Sequence, residues 1–85
     1  MIVTYVIQTA EGVSLRVNVQ KGNYAVGDRV GIIASDGRSS HYDIICHIFE
    51  DKEQRGIVSE GMSAVFFFVN MTKDCADVGS EIMPT

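Results

Sequence analysis

The chain has 85 residues, of which 46% are apolar and 21% charged, with one Pro and a formal net charge of −4. That length holds one domain, 1–85, and that composition excludes a disordered tail or a low-complexity linker. No apolar run approaches the ~20 residues of a membrane-crossing helix, and the opening MIVTYVIQ lacks the basic segment of a secretory leader, so no membrane contact and a cytoplasmic location are expected.

In chain order the pattern is all-β. IVTYVIQ (2–8) is rich in β-branched and aromatic residues, and Thr9 to Gly12 suits a hairpin connection. VSLRVNVQ (13–20) alternates cleanly. Val13, Leu15, Val17 and Val19 share one face, and Ser14, Arg16, Asn18 and Gln20 share the other. KGNYAVGD supplies a turn through Gly22 and Gly27, RVGIIA (29–34) reads as a strand, and the SDG at 35–37 closes it.

SHYDIICHIFE (40–50) reads as one long strand whose inward parity is Tyr42, Ile44, Cys46 and Ile48. Tyr42, Ile45, Cys46 and Phe49 also fit a helical stripe, but the β-branched content and the flanking strands favour β. DKEQRG (51–56) is a polar connection, and IVSEG (57–61) leads into the strand SAVFFFVN. TKDCADVG (72–79) is a polar loop, and SEIM (80–83) is a short closing strand. The whole predicts a small antiparallel β-barrel of about six strands.

Residues 11–37 combine an alternating strand, a Lys-Gly turn, Gly-Asp and a second strand that ends in a turn. They are followed in order by YDIICHIFE, a charged loop, IVSEG, AVFFFVN and DCADVGSEIM. The series resembles domain two of the translational GTPases such as elongation factor Tu, over residues 5–83. The resemblance implies a β-barrel that docks against neighbouring domains and contacts RNA or the ribosome. GTP binding does not carry over, because the chain has no G-x-x-x-x-G-K-[ST] element.

The charge is uneven. Residues 1–42 hold four basic side chains (Arg16, Lys21, Arg29, Arg38) against three acidic, and residues 43–85 hold three against eight. Those four basic residues are the candidate nucleic-acid contacts. Without a clustered basic run, RNA is disfavoured as the principal partner.

No catalytic, cofactor-binding or metal site is expected. His41 and His47 lie six residues apart, roughly 20 Å along a strand at ~3.3 Å per residue, too far to share one Zn²⁺. Cys46 points away from His47 in that strand. Cys75 lies between Asp74 and Asp77, where carboxylates disfavour a thiolate. Two cysteines in a chain able to build a core make a weak case for a disulfide framework.

The stretch SAVFFFVN carries the functional signal. Ala64, Phe66 and Phe68 fall on one parity and Val65, Phe67 and Val69 on the other, so both faces are apolar. A sheet strand with one wet face alternates apolar and polar. Each buried Phe or Val contributes roughly 1.5–3 kcal/mol relative to exposure, so the second face calls for a cover, either another segment of the chain or a partner. The sequence therefore predicts an interaction face at Ile45, Phe49, Val65, Phe66, Phe67 and Val69, serving a homo-oligomer or a protein partner.

Overall fold

The computed structural model describes residues 1–72 and 74–85; Lys73, inside the expected 72–79 loop, lies outside them. The chain is all-β. Its strands are β1 Val3–Gln8, β2 Val13–Asn18, β3 Asn23–Ala25, β4 Arg29–Ile33, β5 Ser40–Ile44, β6 His47–Glu50, β7 Glu53–Arg55, β8 Ile57–Ser59, β9 Ser63–Phe68 and β10 Glu81–Pro84. They pair antiparallel into a five-stranded sheet β1-β2-β9-β6-β7, a three-stranded sheet β10-β4-β5 and a two-stranded ribbon β3-β8. Three strands of three residues each, β3, β7 and β8, raise the number above the six expected.

The two larger sheets enclose the core. Val13, Leu15 and Val17 of β2 lie opposite Phe68, Phe66 and Ala64 of β9, and all six are buried. Val30 and Ile32 of β4 and Ile82 of β10 close it from the other sheet. The expected inward face of 13–20 is therefore the observed one. Alternation buries one side chain in two, and this pair of strands supplies the largest apolar residues at those positions.

One seam joins the sheets. The Val3 N–H donates to the Ser80 carbonyl at 2.8 Å and the Ile82 N–H to the Met1 carbonyl at 2.8 Å, and Ile2 bridges Glu81. Among the described residues β5 and β7 end their sheets without a strand beside them, so the barrel is not closed.

The other connection is a corner in the stretch expected to be one strand. The Ile45 N–H donates to the Asp28 carbonyl (2.9 Å) and the Ile45 carbonyl accepts from the Gly27 N–H (2.8 Å), both on the β4 side. The next residue, Cys46, donates its N–H to the Phe67 carbonyl of β9 (2.9 Å). The chain thus changes sheet between adjacent residues, and its parity slips by one. Of the expected inward face Tyr42–Ile44–Cys46–Ile48, Ile48 is buried as expected, whereas Tyr42 (57% exposed) and Ile44 (50%) face outward and Ile45 is buried instead.

Candidate interaction face

The site grows from cross-strand pairing on the outer side of the five-stranded sheet. Residues directly opposite in antiparallel strands share a face. One row runs Ile7, Ser14, Phe67, His47; the next runs Tyr5, Arg16, Val65, Phe49, Gln54. The outward parity of β9 thereby meets outward aromatics from β6, while Tyr5 and Ile7 of β1 continue the same rows on the far side of Ser14 and Arg16 of β2.

His47 organises the centre. Its ring centroid lies 5.8 Å from that of Phe67 and 6.3 Å from that of Phe49, within the range of tilted aromatic contacts. Its Nδ1 stands 3.1 Å from Gln54 Nε2, a hydrogen bond that restrains the ring from the neighbouring β7. Val65, Phe67 and Phe49 are half-buried, flanked by these neighbours, and Tyr5 (54%), Ile7 (46%) and Val69 (46%) are exposed.

The rim is charged. Arg55 pairs with Glu50 (3.0 Å) and Glu53 (3.5 Å) beside Phe49. Arg16 sits between Tyr5 and Val65 in the second row, and its guanidinium has no ion pair among the described residues.

Two of the six expected face residues do not belong to it. Phe66 is fully buried because it points inward opposite Leu15 and Ile48. Ile45 is fully buried because the corner keeps it in register with the inward parity of β5. Phe49, Val65 and Phe67 lie together as expected, and Val69 follows β9 beyond the last paired residue. Tyr5, Ile7 and His47 were missed. Tyr5 and Ile7 alternate with Thr4 and Val6 in the sequence, a signal for two apolar faces on β1 as on β9.

The four basic residues are dispersed. Arg16 lies on this face, and Arg29 on the outer face of the three-stranded sheet, its guanidinium 4.8 Å over the Tyr42 ring. Lys21 is in the β2–β3 loop. Arg38 is in the β4–β5 turn, where its N–H donates to Asp36 Oδ1 at 2.9 Å. His41 and His47 also part company, on β5 and β6 of different sheets. Among the described residues no three His, Cys, Asp or Glu side chains converge as metal ligands, and no helix is long and apolar enough to cross a membrane.

A scan against protein-family models gave no match, and a search of curated proteins gave none either. The likeness to translation-factor domain two accordingly rests on the order of sequence motifs.

Proposed function

We propose that this protein is a non-catalytic binding module that docks a protein partner through the outer face of the five-stranded sheet. The observation that carries the reading is the joining of Val65 and Phe67 with Phe49 and His47 into one outward apolar cluster, bordered by Ser14 and Arg16, with Tyr5 and Ile7 continuing the two rows beyond them. An aromatic-rich apolar centre inside a polar rim is the anatomy of a protein interface. Sheet faces of this kind pack on other sheets about 10 Å away. The unpaired Arg16 asks the partner for a carboxylate beside its apolar patch.

RNA is the weaker reading, since only one of the four dispersed basic residues, Arg16, accompanies the aromatic cluster. Phosphate-backbone affinity grows with the number of clustered cations. The free thiols of Cys46 and Cys75 suit the reducing cytoplasm.

The test compares the immobilised protein with its Phe67→Asp variant as bait for a cell extract, with melting curves of both. A bound protein retained by the parent and lost from a variant that melts normally supports the reading. Equal retention by both baits sinks it. Bound nucleic acid that is released steeply by salt would move the assignment to RNA.

A further inference from the structure

β5 is an edge strand with its chemistry reversed. Its outward side chains, Tyr42 and Ile44, are apolar and exposed, while its inward parity carries His41 and Asp43, opposite the buried Ile32 and Val30 of β4. Asp43 Oδ1 accepts the Ile44 N–H at 2.8 Å, but Asp43 Oδ2 is buried and has no hydrogen-bond partner among the described residues. Among the described residues the nearest cation-forming group, His41 Nε2 on the same strand, stands 3.9 Å away, beyond hydrogen-bond reach. A buried acceptor left unsatisfied costs free energy, so something outside the single chain should meet it.

The ladder shows what the edge offers. The Ala34 N–H donates to the Ser39 carbonyl and the Ile45 N–H to the Asp28 carbonyl. Together with the β4–β5 register, these bonds place the backbone groups of His41 and Asp43 toward β4. Antiparallel strands alternate, so the N–H and C=O groups of Ser40, Tyr42 and Ile44 point to the open edge. Ile44 is partly served already, its N–H by Asp43 and its carbonyl by the Cys46 thiol at 3.8 Å.

We infer that this edge pairs with β5 of a second copy of the chain, antiparallel across a two-fold axis through Tyr42. Continuity of faces requires inward residues to oppose inward residues, which leaves three central registers. A register centred on Asp43 sets two carboxylates face to face, and one centred on His41 sets two imidazoles face to face. Centring on Tyr42 sets His41 opposite the second copy's Asp43 and Asp43 opposite the second copy's His41. These are non-hydrogen-bonded pairs, whose side chains approach most closely, so each buried Oδ2 gains an imidazole donor.

The backbone exchanges then run between the two Tyr42 residues and between Ser40 and Ile44, with the Ile44 N–H moving from Asp43 Oδ1 to the second copy's Ser40 carbonyl. An inward-pointing charge usually discourages edge pairing. The two-residue offset between His41 and Asp43 discourages every register but this one. The contact is isologous and closes at two chains, yielding a continuous six-stranded sheet. It uses a different element from the docking face on the five-stranded sheet.

Sedimentation equilibrium across a wide concentration range tests it. The expected mass rises to twice the 9.3 kDa of one chain and no further. Tyr42→Pro removes an edge-facing N–H without touching the β4 ladder, at the cost of the ring under the Arg29 guanidinium, and should weaken the dimer at least tenfold. His41→Asp sets like charges opposite each other and should do the same, while the double exchange His41→Asp with Asp43→His should restore association in the same register. Melting curves accompany each variant, so that a misfolded one is recognised. A monomer at all concentrations overturns the inference. So does a dimer indifferent to Tyr42→Pro and His41→Asp, or one dissociated only by Phe67→Asp.

Discussion

Gly12 lies directly against the backbone of Phe68: a Cβ on Gly12 would stand 2.1 Å from the Phe68 carbonyl oxygen. Gly12 also has φ +156 and exchanges hydrogen bonds with Thr9 across the β1–β2 turn, where the Thr9 N–H reaches the Gly12 carbonyl at 2.8 Å. Any side chain must push the turn off the end of β9. Gly12→Ala is therefore expected to destabilise by at least roughly 1–3 kcal/mol, the usual cost of a forced backbone conformation, with the displacement of β9 added. Urea denaturation reads this as a fall in midpoint, and an unshifted midpoint would contradict the contact.

Much of this architecture is legible in the residues themselves. The alternation of Val13, Leu15 and Val17 against polar partners leaves a single way to bury β2, and the structure buries it that way. The corner at Ile45–Cys46 is not legible, because Ile44, Ile45 and Cys46 are three apolar residues in succession. A parity slip among them leaves no mark in the pattern, and neither Gly nor Pro punctuates it. What decides it is tertiary: Asp28 holds Ile45 while Phe67 holds Cys46. The same slip moved Ile45 off the interaction face and turned Tyr42 and Ile44 outward. For β9 the double apolar parity was visible. Which parity faced inward became fixed only by pairing with β2, where Phe66 meets Leu15.

Adjacent phenylalanines on β9 should consequently behave differently. Phe66 is fully buried and packs its ring against Tyr24 at 5.8 Å; Phe66→Ala is expected to cost about 3–5 kcal/mol, as for other buried aromatics. Phe67 is half-buried on the outer face, so Phe67→Ser should cost under roughly 1.5 kcal/mol, less than full burial of such a side chain contributes. Comparable losses in chemical denaturation would mean that the outer row is covered within the chain.

Asp77 ties the loop before β10 to the end of β4. Its carboxylate accepts the Ser35 hydroxyl, the Ser80 hydroxyl at 2.6 Å and the Ser35 N–H at 3.2 Å. These bonds, the Ser35 hydroxyl foremost, hold its pKa below the ordinary 3.8. A carboxyl with a depressed folded pKa stabilises above its unfolded value and loses that contribution as pH falls through the folded one. The melting temperature of the parent should fall more steeply below about pH 4 than that of Asp77→Asn, and the two curves should converge in acid. Parallel curves would show that the serines do not favour the charged form.

Tyr24 gives the complementary alkaline test. It is buried on β3 against Phe66, and burial first, then the negative charge of Asp28, raises its hydroxyl above the ordinary 10.0. The folded chain thus keeps the Tyr24 proton at a pH where the unfolded chain releases it. That makes the contribution of Tyr24 complete below pH 10 and progressively lost as the pH rises toward the folded value. Absorbance titration of phenolate should show a late step that is missing in Tyr24→Phe. The parent should also lose stability above pH 10 faster than that variant does. Asp28→Asn should bring the late step down part of the way, since it removes the charge and leaves the burial. Asp28 also accepts the Ala25 N–H through Oδ2 at 2.9 Å, so stability at neutral pH must be measured alongside. A titration in which Asp28→Asn moves nothing would assign the whole shift to burial against Phe66.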